Sequence, residues 1–273
     1  MLTILNSISS LNAQNALSST QASLQKTLTQ LSTGLRINSG ADDAAGLSIA
    51  NGLSGNVAAL TQSSNNASSG IGTLQTADGA LSQVTTLLNR AVTLATEASN
   101  SGLSTSQYNA LDTEYQNILT EITNIGSSTT FNGNAVFSAT ALQSYMTDGT
   151  TSGSGLSVSA TVGTLSATTL ALNSTKLDSA TNAQAALTAV SAAIGTTAAS
   201  RGTVGAAVNQ LQASQSVANT EVTNLTSALN DIQNADIGKT VAQMTQFNVL
   251  QQTGMAALQQ SNQAQQSVLK LLQ

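Results

Sequence analysis

Apolar residues recur along most of this chain at alternating steps of three and four, the spacing of a single stripe on an α-helix. Near the N-terminus Leu24, Leu28, Leu31 and Leu35 step by 4, 3 and 4, and Ile4, Ile8 and Leu11 begin a similar run. Leu53, Val57, Leu60, Ser64, Ala67, Ile71 and Leu74 keep the alternation. After one shortened step it continues through Ala77, Leu81, Val84, Leu88, Ala91, Ala95 and Ala98. This predicts one helix of roughly 50 residues, about 75 Å long at ~1.5 Å per residue, with a local change of supercoil at the shortened step. Asn100, Ser101 and Gly102 predict a turn. Tyr108, Leu111, Tyr115, Ile118, Ile122 and Ile125 predict a shorter helix ended by Gly126, antiparallel to the first because the link is short.

The period changes between 131 and 172. FNGNAVF places an Asn-Gly pair between apolar residues, a hairpin signal. Leu156, Val158, Ala160 and Val162 alternate with Ser157, Ser159 and Thr161, as a half-buried strand does. The helical period returns at Ala186, Val190 and Ile194, and again from Val204 to Ile232. A last run carries Val241, Met244, Phe247, Leu250, Met255 and Leu258, then Val268, Leu269, Leu271 and Leu272. The predicted fold is mainly α: a long antiparallel, coiled-coil-like helical rod with a small β-hairpin region and its N- and C-termini paired.

The predicted end helices have a physical difficulty. They are rich in Ser, Thr and Asn, which are poor helix formers, and they carry almost no ion pairs at i,i+4 spacing. Alone they would be marginal. A leucine seam without charged flanks is expected where a helix forms against partners, and neutral polar surfaces suit packing against copies of the same chain. The seam assigned to self-association is Leu24, Leu28, Leu31 and Leu35 with Val268, Leu269, Leu271 and Leu272.

Composition removes most chemistry. Among 273 residues there is no Cys, His, Pro or Trp, and charged residues are 7%. Thiolate nucleophiles, disulfides, His-based triads and HExxH zinc sites are therefore impossible, and the prediction is of no enzyme and no cofactor. Lys26 and Arg36 at one end and Lys239 and Lys270 at the other stand without a single acid, whereas all 12 acids lie in 42–236. Cations this sparse, without interleaved aromatics, do not make a nucleic-acid groove. No apolar run approaches the ~18 residues of a membrane span. The start, MLTILNSISSLNAQNALSS, lacks the basic and apolar segments of a Sec signal, which taken alone favours the cytoplasm.

Particular motifs narrow the field. LSTGLRINSGADDAAGLSIA (31–50) closely resembles the N-terminal signature of bacterial flagellins. FNG (131–133) resembles the motif that starts their β region. Ser227–Ile232, VLQQTGMAALQQSNQ (249–263) and VLKLLQ (268–273) resemble their C-terminus, although Ala264 stands where many carry Pro. The resemblance implies a core, D0, formed by 1–42 and 229–273. It implies a second domain, D1, with helices at 43–130 and 176–228 and a hairpin or variable region at 131–175. It also implies a helical homopolymer, export through the flagellar type III apparatus without a cleaved signal, and an extracellular location in the filament. The partners it implies are the filament cap, hook-junction proteins, an export chaperone at the C-terminal helix, and the flagellin-sensing Toll-like receptor of hosts. No nucleic acid or membrane is among them. LLNRAVTLA (87–95) resembles the segment that receptor recognises, with Arg90, Leu94 and Glu114 at matching positions and Asn89 where Gln is common.

Simpler readings compete with each of these. Asp42 and Asp43 are adjacent, so on a helix they would not face one side as a metal or acid–base pair must. A helix N-terminus suits them better, and by the resemblance they lie with Arg36 at the D0–D1 junction. Gly70-Ile71-Gly72 lacks the third glycine and the preceding strand of a nucleotide loop. The Ser/Thr-rich stretch 147–169 reads as a polar turn region before it reads as a glycosylation site. The rival function is the related hook–filament junction protein, against which the dense match at 31–50 and 249–273 argues. A peptidase would need His, and a membrane-active helix would need basic and aromatic faces.

Overall fold

The computed structural model describes residues 8–139, 142–146 and 156–271. Its order is α1 (Ile8–Thr33), α2 (Ala44–Ala98), α3 (Thr105–Ser128), β1 (Thr130–Phe131), β2 (Asn134–Ala135), β3 (Leu142–Met146), β4 (Leu156–Ala160), α4 (Ala180–Gln233) and α5 (Ile237–Leu271). The chain is mainly helical, and its strands form two separate antiparallel hairpins, β1–β2 and β3–β4. It divides into a terminal unit, 1–55 with 224–273, and a central unit, 56–223; the division falls within α2 and α4.

Local chemistry sets the helix ends. Gly34, at φ 72°, closes α1 in the left-handed conformation that L side chains avoid. The later helices start on short polar caps. Asp43 Oδ1 accepts from the Gly46 amide, Ser179 Oγ from Asn182 and Asp236 Oδ1 from Lys239. Ser104 and Gln107 form a reciprocal capping box on α3.

The central unit contains nearly all of the fully buried apolar residues among those described. Leu74, Leu81, Val84, Leu88 and Leu94 of α2, Tyr115 and Ile122 of α3 and Val190, Val204 and Leu211 of α4 are all buried, at the expected helical spacing. An Arg201–Asp78 ion pair at 2.8 Å ties α4 to α2, as does Gln215, which donates to Ser64 and Ser68. These pairings place α2 and α4 antiparallel within this unit. The Asn-Gly hairpin forms as the sequence predicts, with Asn132 and Gly133 both at positive φ (51° and 78°), the signature of a tight primed turn. Its Phe131 ring lies on α2 at Gly72, where a Cβ would sit 3.2 Å from Cζ.

Two expectations change here. Gly126 does not end α3: the helix continues to Ser128, and Gly126 is buried against the Leu165 backbone carbonyl, with no room for a Cβ. Second, the irregular segment after β4 is part of the core, since Leu165, Leu170, Leu172 and Leu177 are buried. It is pinned to α3 by polar contacts. The buried Tyr115 hydroxyl bonds Thr175 Oγ1 at 2.6 Å, Gln116 donates to the Thr175 carbonyl, and the Leu177 amide donates to Asp112 Oδ1 at 2.7 Å. Burial raises the Tyr115 pKa above its ordinary value.

The two kinds of helical glycine give a paired prediction. Gly126→Ala forces a methyl into the Leu165 carbonyl and should cost about 1–3 kcal/mol, as overpacking does. Gly79→Ala, in an open stretch of α2 with nothing within 4 Å of the new methyl, should stabilise by about 0.5–1 kcal/mol through helix propensity. Urea unfolding of both variants checks it; equal effects would refute the close approach at Gly126.

Candidate functional site

The terminal unit is built on the pairing of α1 with α5. The chain breaks between α1 and α2 and between α4 and α5 are hydrogen-bonded to each other. The Arg36 amide donates to the Gln233 carbonyl at 2.7 Å, the Ala235 amide donates to the Gly34 carbonyl at 2.9 Å, and Leu35 and Asn234 form an antiparallel bridge. Arg36 then uses its guanidinium to cap the last turn of α4, donating to the Ile232 carbonyl at 2.6 Å. A cation there satisfies a free carbonyl and opposes the negative end of the helix dipole.

The two aspartates divide their work. Asp43, not Asp42, is the cap of α2. Gly46 serves it by having no side chain, because a Cβ would collide with the Asp43 carboxylate and with Ile37 Cδ1. Asp42 Oδ2 instead accepts from the Asn38 and Ser39 amides and the Ser39 hydroxyl, while Oδ1 takes Lys26 Nζ at 2.8 Å. The Lys26 ammonium and these amides hold its pKa down at about 2. Arg36, Asp42 and Asp43 thus lie in the same link between α1 and α2, each with its own hydrogen-bond partners. Among the described residues no cluster of three metal-ligating side chains occurs.

The α1–α5 seam differs in detail from the leucine row read from sequence. Leu24, Leu31 and Leu35 are half-buried, but Leu28 points away and is exposed. Thr27 takes the buried position beside it, and Thr240 does the same on α5. Both are satisfied within their own helices, Thr27 Oγ1 donating to the Ser23 carbonyl and Thr240 Oγ1 to that of Asp236. Leu17 packs on Gly254. On α5 the half-buried apolar side chains among those described are Met244, Phe247 and Leu258, whereas Val241, Leu250 and Met255 face out. Val268, Leu269 and Leu271 fall within α5, but their side chains, and Leu272 altogether, lie outside the described residues.

The seam therefore leaves much apolar surface uncovered. In the terminal unit only Ile37 and Ala50 are fully buried apolar residues among those described. Among the described residues, the large exposed apolar ones belong to the same unit, including Ile8, Leu11, Leu28, Val241, Val249 and Met255, and only Val217 lies in the central one. Such a concentration marks an interaction surface.

The other predicted cluster lies in the central unit. Arg90 and Glu114 join α2 to α3, with Nη2 2.7 Å from Oε1 and Nε donating at 2.8 Å, and both are about half exposed. Leu94, expected on their face, is 1% exposed and belongs to the core. Its place in the buried stripe of α2 explains this: it follows Leu88 and Ala91 at helical spacing.

The chain matches the family model for the bacterial flagellin N-terminal helical region over residues 4–141. It also matches that for the bacterial flagellin C-terminal helical region over 187–272. A flagellin of Halalkalibacterium halodurans is 33% identical over 91% of each chain. One from Bacillus subtilis is 30% identical over 98% of each. A crystal structure of Bacillus cereus flagellin is similar over 60% of this chain and 94% of its own, at 25% identity and a TM-score of 0.49.

The Asp42 turn gives a pH prediction. Its folded pKa lies below the ordinary carboxylate value, so its contribution is present above about pH 4 and is lost as pH falls through about 2. Protection of the Ser39 amide against hydrogen exchange, relative to its intrinsic rate, should fall across that window, and Asp42→Asn should show the low protection at neutral pH. Exchange that is equally slow in Asp42→Asn would rule out this role for the carboxylate.

Proposed function

The chain belongs to the bacterial flagellins, and from that membership we propose that it works by packing α1 and α5 against those of its copies to build the flagellar filament. Its role is structural. The observation that carries the proposal is the uncovered apolar surface of the terminal unit: one chain cannot dry its own end helices, and a helical homopolymer can. At ~25 cal/mol per Å² of apolar surface, many copies are needed to offset the ordering of these helices.

The resemblance extends the proposal to finer points. The chain leaves the cell through the flagellar type III apparatus without a cleaved signal and acts outside it, in the filament. No helix among the described residues is long and apolar enough to cross a membrane. The filament cap, hook-junction proteins and an export chaperone at α5 are its further partners. The free chain presents Arg90 and Glu114 to the flagellin-sensing Toll-like receptor, with Leu94 behind them holding α2 in place. The domain scheme, D0 from both ends and D1 between, goes with this proposal, as does a junction role for Arg36, Asp42 and Asp43.

Assembly is tested by Val241→Asp with Val249→Asp. Both valines are exposed in the single chain, so the double variant should keep its helix content, with a stability change within about 0.5 kcal/mol per site. It should nevertheless fail to sediment as filaments when seeded. Normal filaments from this variant would sink the proposal. The receptor surface is tested by Arg90→Ala with Glu114→Ala, which should lower reporter-cell activation by free chain at least tenfold, about 1.4 kcal/mol of binding. Unchanged potency with unchanged circular dichroism would reject it.

A further inference from the structure

We propose that Met255 is an oxidant-sensitive control point for self-association: peroxide reaches its thioether in the free chain, and the sulfoxide so formed blocks packing between copies. The inference rests on the filament reading above.

The chain has no cysteine, so its methionines are its only sulfur. Two of them, Met244 and Met255, have described side chains, and both lie on α5. They are 11 residues apart, close to three helical turns, so they share one line of the helix. Ile237, five turns before Met255, and Val241 lie on or beside the same line. Their environments differ. Met244 is half-buried. Met255 is 45% exposed. The residue before it, Gly254, receives Leu17 of α1, and Met255 is exposed together with Ile237 and Val241 of the same line.

The chemistry needs only hydrogen peroxide or another hydroperoxide. A sulfur lone pair attacks one peroxide oxygen, an S–O bond forms and the O–O bond breaks. The departing hydroxide takes a proton and leaves as water. Sulfur is oxidised by two electrons and the peroxide is reduced. A flexible apolar side chain becomes a polar one, which resists transfer into an apolar contact unless a donor meets it. Susceptibility follows exposure, so the same packing that Met255 supports also shields it. Oxidant then halts the addition of free chains and spares those already assembled.

The test exposes free chain and sedimented polymer separately to limiting hydrogen peroxide and maps methionine sulfoxide by peptide mass. In the free chain Met255 should oxidise several-fold faster than Met244, and in the polymer it should be protected several-fold. Oxidised free chain should lose most of its seeded, sedimentable polymer. Reductases acting on both sulfoxide epimers should restore it, and Met255→Leu should keep it after the same treatment. Equal oxidation of Met255 in the two states overturns the proposal, as does a Met255→Leu variant as sensitive as wild type. Should that variant assemble poorly without peroxide, the reductase rescue of wild type decides, and failure to rescue overturns the proposal. Untreated wild type that never sediments is a different result: it overturns the filament reading itself.

Discussion

The pairing of α1 with α5 is the constraint on which the terminal unit depends, and it is an incomplete one. These helices comprise 26 and 35 residues. Fixing each residue's backbone costs about 1–2 kcal/mol. Against that stand a seam of half-buried Leu, Met and Phe, a turn stitched by Arg36 and Asp42, and few fully buried apolar side chains. Hydrogen bonds within the helices do not close the gap, because the unfolded chain has water for the same groups. What remains is surface still in contact with solvent, and removing it is the only large term available. On the proposed function, other chains supply that term.

The central unit solves the same problem internally. Its helices bury a continuous row of side chains, and the buried Tyr115 finds Thr175 for its hydroxyl. Where backbones or loops come close, the sequence supplies glycine: Gly126 under the Leu165 carbonyl and Gly72 under the Phe131 ring. Its ion pairs, Arg90–Glu114 and Arg201–Asp78, are partly exposed and contribute modestly. This unit does not rely on neighbours for its core.

Periodicity made the helices legible, and Asn132-Gly133 made the first hairpin legible, because both signals are local. The structure adds detail where local pattern meets tertiary context. Leu28 fits the leucine row, yet the seam passes through Thr27, because a threonine bonded to its own helix can be buried as readily as an apolar residue. Leu94 was grouped with Arg90 and Glu114 by resemblance, although its step from Leu88 and Ala91 already pointed inward. Gly126 looks like a terminator in sequence, and only the contact with Leu165, which is remote along the chain, shows why a glycine is needed inside a helix. Asp42 and Asp43 could not be told apart until the start of α2 was fixed to the residue. The Asp112–Leu177 and Tyr115–Thr175 contacts join residues about 60 apart, and no signal in the sequence announces them.

The buried threonines exemplify something general in these helices. Thr20, Thr29, Thr61, Thr73, Thr188 and Thr220 are among many whose hydroxyl donates to the carbonyl four residues earlier. Each such residue has already spent its proton inside the helix and offers a neighbour only a methyl group and spare lone pairs. A surface made this way reads as hydrophilic by composition, yet little hydration must be stripped from it when another surface arrives. It behaves as a face that can be wetted or dried at small cost, so a chain rich in serine and threonine can remain dispersed and still form close, waterless contacts.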